Sequence, residues 1–379
     1  MTSSHEPIEV TVEKIAFGGQ GIARKDGLVY FIPFSAPGDR LMVRVTDEKK
    51  NFRTAEIQEI LSPGPERVTP PCPVYGRCGG CNLQHISYEE QLRQKQNLVL
   101  EQLKKNLTTD TEILPIVPSP TPFHYRNRIQ LKFDGQRLGF YERKSHTIID
   151  LEDCLICDDR LTAQFSDLKK SLSEKKQPAP KVELFLNTEN QVESSLSDSG
   201  PTEGLGFSQV NQAQNINLTS TLKQWISEDP SEKIYDFYAG AGNFTFPLLD
   251  QFRRSTVHSV ELSEKSVKDA KRRILEMNLS PKRVQFFCSD VGAFLKRVIL
   301  QDDSIAILDP PRVGCADQVI HSLAPQNLKK IYYISCNPST LARDLTLLKN
   351  WKIGRLQAFD MFPQTDHIEV LAELVIDSR

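Results

Sequence analysis

The sequence predicts an α/β protein with a C-terminal doubly wound sheet, an N-terminal β-barrel and a central α+β segment between them. Strand-like and helix-like runs alternate from about residue 207 onward, which is typical of a parallel, Rossmann-like sheet. Apolar and polar residues alternate with period two over residues 8–61, between glycine-rich turns, and this predicts a small barrel. A proline-rich stretch at residues 62–71 indicates a boundary. We therefore divide the chain into residues 1–62, 63–206 and 207–379.

The first two parts contain elements of both kinds. The barrel strands are predicted at IEVTVEKIAF, LVYFIPF, RLMVRVTDE and TAEIQEIL, with turns at GGQGIARKDG and SAPGD. Residues 87–107 predict a helix, because Leu92, Val99, Leu103 and Leu107 recur at near-helical spacing and Ser87 with Glu90 can form a capping box. The run YRNRIQLKFDGQRLGFYERKSHTIIDLEDC predicts strands, and the polar residues 187–206 predict a loop.

The third part alternates regularly between the two kinds of element. Strands are predicted at KIYDFYAG, TVHSVEL, VQFFCSD, SIAILDPP, KIYYISC and the terminal VLAELVI. Helices are predicted at NFTFPLLDQF, EKSVKDAKRRILEMN and STLARDLTLLKN.

Composition excludes several classes of protein. With 39% hydrophobic and 25% charged residues, the chain is too apolar for a disordered protein. It has no apolar run near the ~18 residues that span a bilayer. The opening residues MTSSHEPIEV carry no secretory signal, so we expect a cytoplasmic protein whose eight cysteines stay reduced. The net charge of −2 does not indicate a protein coated by nucleic acid.

One stretch, residues 121–145, is locally basic and aromatic. Its basic residues can neutralise phosphates, and its aromatic rings can stack on unpaired bases. The alternative is a β-hairpin with a solvated basic face and an aromatic core face. The residues concerned are Arg126, Arg128, Lys132, Arg137, Arg143 and Lys144, with Phe123, Tyr125, Phe133, Phe140 and Tyr141 between them.

Cysteines cluster in CPVYGRCGGCNLQ. Cys72, Cys78 and Cys81 lie within ten residues, and the two glycines between the last two let the backbone fold tightly, which predicts a soft-metal site. The fourth thiolate comes from Cys154 or Cys157 in DCLICDD. Four thiolates fit either zinc or a [4Fe–4S] cluster, and buried free thiols are the remaining alternative.

Acidic residues follow successive strands of the predicted parallel sheet. Asp236 precedes the glycine-rich turn FYAGAGN, Glu261 ends the next strand, and Asp290 follows the third. Together they predict one rim of a nucleoside pocket at the carboxyl edge of the sheet. The alternative is that these acids cap helices.

Three further motifs reach the same edge. Asp309 and Arg312 lie in DPPRVG, where two prolines stiffen the exit from a strand. Cys336 in SCNPS lies next to a helix N-terminus, which favours a thiolate and makes a nucleophile credible. His367 and Glu369 in DMFPQTDHIE precede the terminal strand and provide possible bases.

These motifs resemble, in order, those of the RNA uracil-5 methyltransferase family, especially its iron–sulfur branch acting on 23S rRNA. The resemblance covers essentially the whole chain and is most specific at SCNPSTLARDL and DMFPQTDHIE. VEKIAFGGQGIARKDGLVYFIPFSAPGDRLMVRV resembles a TRAM domain, an OB-like RNA-binding barrel, and CPVYGRCGGCNLQHISYEEQL resembles the family's [4Fe–4S] segment. The resemblance implies a cytoplasmic, monomeric enzyme that binds S-adenosylmethionine and RNA.

Roles carry over onto matching positions. The resemblance implies that Cys336 is the nucleophile and Glu369 the base. It implies that the cluster is held by Cys72, Cys78, Cys81 and Cys154, with Cys157 as the second possibility for the fourth ligand. It implies cofactor contacts for Gln209, Tyr238, Asn243, Glu261, Asp290 and Asp309. Tyr238 stands where the family often has Phe.

Several alternatives remain open at this point. The uridine can belong to 23S rRNA or to tRNA, since related tRNA enzymes with a cluster exist. A non-catalytic RNA-binding iron–sulfur protein has no need of the pair Cys336 and Glu369, which argues against it. Methylation of cytosine at C5 is disfavoured because SCNP and DHIE resemble the uracil enzymes.

Overall fold

A computed structural model describes residues 6–174, 181–187, 189–197 and 209–377. The chain divides into two compact units. The first comprises Met1–Leu98, Pro120–Gly204 and Phe362–His367, and the second comprises Val99–Ser119, Leu205–Met361 and Ile368–Arg379. Within the described ranges, none of the helices combines the length and apolar composition that crossing a lipid bilayer requires.

The N-terminal strands form a closed barrel, as predicted, in the order β1-β2-β3-β5-β4. Its interior is lined by apolar residues that include Val10, Tyr30 and Val43. Strand β2 occupies part of the predicted turn GGQGIARKDG, because its inward residues Gly21 and Ala23 are small and give little hydrophobic signal. The strands are β1 (Ile8–Ile15), β2 (Gln20–Lys25), β3 (Leu28–Pro33), β4 (Arg40–Glu48) and β5 (Phe52–Ser62).

The predicted helix after the cysteine segment is α1 (Tyr88–Leu103). Ser87 Oγ accepts a hydrogen bond from the Glu90 amide at 3.3 Å, which is one half of the predicted capping box. The helix ends four residues before the predicted end, and the chain then forms the short strand β6 (Glu112–Ile113).

An antiparallel sheet with the order β11-β10-β7-β8-β9 forms the central part. Strand β11 is a correction, since it lies inside the predicted loop 187–206. Its polar composition suits a strand at the end of a sheet, where pairing with β10 on one side supplies the hydrogen bonds. Residues 198–206 lie outside the described residues. The elements are β7 (Arg128–Phe133), β8 (Leu138–Tyr141), β9 (Ile148–Asp150), α2 (Asp159–Thr162), α3 (Phe165–Glu174), β10 (Lys181–Leu186) and β11 (Val192–Ser197).

The second unit contains a doubly wound sheet with the order β14-β13-β12-β15-β16-β18-β17-β6, which confirms the predicted fold. The strands from β14 to β16 are parallel, and β18 runs antiparallel between β16 and β17. The strands are β12 (Lys233–Phe237), β13 (Thr256–Glu261), β14 (Val284–Cys288), β15 (Ile305–Leu308), β16 (Lys330–Ser335), β17 (Trp351–Phe359) and β18 (Glu369–Ile376).

Helices cover this sheet. The predicted helices are present as α5 (Thr245–Gln251), α6 (Glu264–Glu276) and α9 (Pro338–Leu347). The helices α4 (Gln212–Glu228), α7 (Val291–Leu295) and α8 (Asp317–Leu323), and the strand β17, are additions to the prediction. The buried residues between helices and sheet include Phe237, Leu308 and Leu341.

A buried ion cluster fixes the register of β18. The Glu373 carboxylate accepts hydrogen bonds from Lys330 Nζ at 2.9 Å, Tyr332 Oη at 3.1 Å and Arg355 Nη2 at 2.8 Å. These partners lie on the two strands that flank β18, and Tyr332 pairs directly with Glu373. Because Glu373 is only 4% exposed, its charge depends on these partners, which the observed register supplies.

Candidate active site

The strand order reverses between β12 and β15. In such sheets, ligands bind at the carboxyl ends of the strands beside this reversal. Asp236 lies near the end of β12, Asp309 directly follows β15, and Cys336 directly follows β16. The three predicted residues are thus brought to one edge by the topology.

A tight turn joins β12 to α5. Tyr238, Gly240 and Gly242 all have positive φ (63°, 55° and 92°), and a Cβ on Gly242 would lie 2.4 Å from the Phe246 ring. The space above Gly240 is open, since a Cβ there would meet no atom of the described residues within 4 Å. The turn therefore leaves its backbone accessible to a ligand.

Glu261 supports this turn. Its carboxylate accepts hydrogen bonds from the Gly240 amide at 2.9 Å and from the Ser263 amide at 2.7 Å. On the other side, the Asn243 side chain exchanges hydrogen bonds with Asn215 of α4 at 2.8 and 3.1 Å. Residues predicted to contact the cofactor therefore shape the turn itself.

Asp236 is completely buried beneath the turn. Its Oδ2 accepts a hydrogen bond from Thr245 Oγ1 at 2.5 Å, while its Oδ1 has no hydrogen-bond partner among the described residues. Burial, with a contribution from Glu261, raises the pKa of Asp236 to about 7. Burial, with a contribution from Asp236, likewise raises the pKa of Asp309 to about 7.

The other predicted cofactor residues lie near the start of helices. Asp290 accepts a hydrogen bond from the Ala293 amide at 2.9 Å and so caps α7, as the alternative interpretation predicted for it. Ser263, rather than Glu261, caps α6. Gln209 is half-buried three residues before α4.

Cys336 and Glu369 lie at the same end of two neighbouring strands. The antiparallel ladder of β16 and β18 ends at the pair Ser335 and Val370, and Cys336 and Glu369 are the next residues beyond it. Glu369 is near enough for its charge to add to the effect of burial in raising the pKa of the Cys336 thiol. The sequence-predicted nucleophile and base are therefore close to each other. His367 packs its ring against Phe362, with 5.8 Å between centroids.

Burial controls the titration of this pair. It raises the pKa of the Cys336 thiol to about 11, with a further increase from the negative charge of Glu369. It also raises the pKa of Glu369, which is 4% exposed, well above the ordinary value, and Asp309 adds to this effect. The Arg312 guanidinium opposes both pKa shifts and so favours the thiolate and the carboxylate.

The loop after β15 is fastened to α9. Asp344 is fully buried and accepts hydrogen bonds from the Cys315 amide at 2.8 Å and from Tyr333 Oη at 2.6 Å. Arg343 donates to the Val313 carbonyl at 2.9 Å. The loop that carries Arg312 is therefore held against the helix that follows Cys336.

A direct bond also joins the loops of Arg312 and Cys336. Asn337, which caps α9, donates a hydrogen bond from its side chain to the Arg312 carbonyl at 3.2 Å. The loop that carries Arg312 is thereby joined to the residue that directly follows Cys336.

The predicted cysteine ligands converge elsewhere, in the first unit. Cys72, Cys78, Cys81 and Cys154 line one cavity, together with apolar side chains that include Val74, Phe140 and Ile156. The Gly80 amide donates to Cys78 Sγ at 3.4 Å, and the buried Cys157 thiol hydrogen-bonds to Cys154. Among the described residues, no group of three or more His, Cys, Asp or Glu side chains is arranged to hold a metal ion.

Comparison with known proteins decides the family. Residues 202–375 match the tRNA (Uracil-5-)-methyltransferase family, and residues 6–57 match the TRAM domain. An uncharacterised RNA methyltransferase of Bdellovibrio bacteriovorus is 44% identical over 98% of this chain and 95% of its own length. One from Aquifex aeolicus is 30% identical over 98% of this chain and 99% of its own length.

The chain belongs to the RNA uracil-5 methyltransferase family. A solved structure, that of Pyrococcus abyssi tRNA (uracil-54, C5)-methyltransferase in complex with S-adenosyl-L-homocysteine, is similar to this methyltransferase throughout. It has a TM-score of 0.79 and 25% identity, covering 97% of this chain and 100% of that one. The predicted family and fold are thereby confirmed.

In this methyltransferase, the aromatic–basic stretch forms part of the central sheet. Tyr125 and Phe133 are buried in its core, as the hairpin interpretation predicted, whereas Tyr141 is 39% exposed. Lys132 Nζ lies 5.7 Å from the centroid of the Tyr141 ring. Burial, and then the positive charge of the nearby Lys181, lowers the pKa of Lys132. Contact between this face and RNA stays a prediction.

Sequence reasoning missed Arg343 and Asp344 and left Arg312 without a role. One signal was present for Asp344. It lies between Leu341 and Leu345 on the apolar face of α9, where an unpaired carboxylate is costly. Such a position indicates a buried hydrogen-bond acceptor, although the sequence does not identify its donors.

Proposed function

We propose that this protein methylates C5 of a specific uridine in 23S rRNA, with S-adenosylmethionine as the methyl donor. The observation that carries the proposal is the proximity of Cys336 and Glu369 at the sheet edge that also carries the open glycine-rich turn. A binding protein has no need of that pair. We further propose that residues 1–62, 63–206 and 207–379 are the functional divisions of a monomer: the TRAM barrel, the cluster-bearing part and the methyltransferase domain.

A uridine in tRNA is the second candidate substrate. The similar Pyrococcus abyssi enzyme acts on uracil-54 of tRNA, and the matched family is described by a tRNA activity. The barrel and the cysteine segment do not by themselves separate the two substrates, because the Pyrococcus abyssi enzyme is similar over 97% of this chain. The resemblance of CPVYGRCGGCNLQHISYEEQL to the branch of the family acting on 23S rRNA is what favours rRNA.

The residues at the sheet edge fit S-adenosylmethionine. Asp236 Oδ1, which has no partner among the described residues, provides a buried acceptor, and the open space above Gly240 provides room for a ligand. When bound, the cofactor supplies an electrophilic methyl group, and its positive sulfonium suits an acidic rim. We propose that the residues holding it are Gln209, Tyr238, Asn243, Glu261, Asp290 and Asp309.

The chemistry of uracil explains why a thiol and a carboxylate are needed together. C5 of uracil is a poor nucleophile until a thiolate adds at C6 and makes C5 an enolate carbon. Cys336 provides that thiolate, and Arg312 favours its ionisation. After methylation, the C5 proton must leave before Cys336 can be eliminated, and we assign its removal to the buried Glu369 carboxylate, which lies close to Cys336.

The target base must also be accessible to Cys336. A base inside a duplex cannot reach a thiol at the edge of the sheet, so the uridine is unpaired or is flipped out of its stack. The TRAM barrel and the face that carries Tyr141 and Lys132 support binding of single-stranded RNA, because aromatic rings stack on bases and lysines neutralise phosphates.

Mapping of 5-methyluridine in RNA from a deletion strain tests the proposed substrate. We expect one or more positions of 23S rRNA to lose the modification, detected by mass spectrometry of RNase fragments, while tRNA keeps it. Restoring the gene should restore the modification. Loss confined to tRNA would support the second candidate, and unchanged modification in both RNAs would contradict the proposal.

We also propose that the cysteine cavity holds a [4Fe–4S] cluster on Cys72, Cys78, Cys81 and Cys154. Four thiols around one cavity with an apolar lining support it, as does the Gly80 amide directed at Cys78 Sγ, since such hydrogen bonds tune cluster thiolates. When bound, the cluster supplies bonds that tie residues distant in sequence together.

Anaerobic purification tests this set of ligands. The protein should be brown, with about four irons per chain measured by iron analysis. Cys154→Ser should lose iron, whereas the matched variant Cys157→Ser should keep it, because Cys154 lines the cavity and Cys157 is buried behind it. A colourless protein with about one zinc per chain would instead indicate a structural zinc site.

A further inference from the structure

Asn82 directly follows Cys81 and forms a reciprocal pair with Asp366. Asn82 Nδ2 donates to Asp366 Oδ1 at 2.7 Å, and the Asp366 amide donates back to Asn82 Oδ1 at 3.0 Å. Asp366 is only 7% exposed, so these bonds are shielded from competing water. The pair joins residues 284 positions apart in the sequence.

The barrel completes this contact. The Gly18 amide donates to the second Asp366 oxygen, Oδ2, at 2.9 Å. A Cβ on Gly19 would lie 2.5 Å from Asn82 Nδ2, so only glycine at position 19 lets the Asn82 side-chain amide lie this close to the backbone of the barrel. Both carboxylate oxygens of Asp366 therefore accept hydrogen bonds from other segments of the first unit.

Gln364, two residues earlier, is held in the same way. Its carbonyl accepts hydrogen bonds from the Asn82 amide at 3.1 Å and the Leu83 amide at 3.0 Å. Its side chain and amide exchange hydrogen bonds with Gln91 at 3.0 and 3.1 Å. These bonds offset the cost of the left-handed backbone at Gln364, where φ is 68°. The segment 362–367 is thus fixed at two points.

We propose that Asn82 is a positioning residue for the catalytic base, acting through Asp366. The anchored segment runs directly into β18, whose first residue, Glu369, is three residues beyond Asp366. This inference rests on the proposed role of Glu369. Cys336 is positioned independently, because its loop is fastened to Arg312 through Asn337. Loss of the anchor should therefore impair removal of the C5 proton more than addition of the thiol.

The pair allows a test by exchange. Asn82→Asp places a carboxylate against Asp366, and the two repel. The double variant Asn82→Asp with Asp366→Asn exchanges the two side chains and keeps a donor and an acceptor for each of the three hydrogen bonds that Asp366 makes with Asn82 and Gly18. Asn350→Asp, at an exposed position directly before β17, is the matched control for the added charge.

The measurement is single-turnover reaction with rRNA extracted from the deletion strain, following the covalent RNA–protein adduct on denaturing gels. In Asn82→Asp, the adduct should form at nearly the normal rate and decay about tenfold to hundredfold more slowly, the scale of a misplacement near 1 Å. The exchanged double variant should recover decay to within about threefold of the parent protein, and Asn350→Asp should match the parent.

Unchanged adduct decay in Asn82→Asp would overturn the inference, and so would slowing that the exchange does not relieve. A fall in adduct formation and decay together would also overturn it, because it indicates loss of folded protein. Glu369→Gln in the same assay tests the proposed function separately. If that variant does not retain the adduct, the role of Glu369 fails whatever Asn82 does.

Discussion

Replacing Cys336 by alanine should abolish methyl transfer and leave the affinity for S-adenosylmethionine nearly unchanged. In the proposed mechanism the thiol makes C5 nucleophilic, and loss of an enzymatic nucleophile lowers turnover by about 10⁴-fold or more. Affinity should persist because Cys336 follows β16, whereas the glycine-rich turn follows β12. Single-turnover rates with rRNA and calorimetric titration with S-adenosylhomocysteine measure the two properties.

Cys288→Ser is the matched control, since Cys288 is an exposed thiol outside the pair of strands that carries Cys336 and Glu369. It should react normally. Near-normal turnover by Cys336→Ala would contradict the addition mechanism.

The pH dependence of the parent enzyme offers a second check of this mechanism. Burial raises the pKa of the Cys336 thiol to about 11, so its thiolate fraction, and hence kcat/KM, should increase as pH rises from about 7 towards about 9.

Replacing Glu369 by glutamine should trap a methylated covalent complex with RNA. The amide is nearly isosteric with the carboxylate but far less basic, so Cys336 still adds and the base still becomes methylated. The C5 proton then stays in place, and elimination of the thiolate stalls. The adduct should survive denaturing electrophoresis and should require both Cys336 and S-adenosylmethionine.

His367→Ala provides the comparison for this variant. His367 lies two residues before Glu369 and is the rival base on the sequence alone, but Glu369 and Cys336 are the residues directly beyond the last ladder pair of β16 and β18. We therefore expect His367→Ala to release product. If it accumulates the adduct while Glu369→Gln releases product at the normal rate, the proton goes to His367 and the assignment of Glu369 is wrong.

The sequence predicted the fold well where hydrophobic patterns are strong. The buried strands β12, β15 and β16 are largely apolar, and their alternation with helices predicts a parallel sheet whose carboxyl ends meet at one edge. This rule alone placed Asp236, Asp309 and Cys336 together. Two strands with weak hydrophobic patterns were not predicted. The inward residues of β2 are small, and β11 is largely polar.

The finer arrangement of the site depended on features that have no local pattern. The position of Glu369 close to Cys336 follows from the antiparallel direction of β18, and strand direction is not encoded in its apolar run. The hydrogen bonds that Arg343 donates to the loop after β15 and that Asp344 accepts from it join residues about 30 positions apart. Asn82 and Asp366 are separated further still, so only the tertiary structure identifies them as a pair.

The buried ion cluster at Glu373 has a consequence for errors in folding. Glu373 and Glu369 are four residues apart and therefore face the same side of β18. A slip of one residue would turn both side chains to the opposite side and leave a charge unpaired. A slip of two residues would leave both side chains on the same side of β18. It would move Glu369 roughly 7 Å away from Cys336 and separate Glu373 from Tyr332. Mispaired strands that would move Glu369 away from Cys336 also break the ion cluster at Glu373. Such misfolded forms are therefore less stable than the native fold.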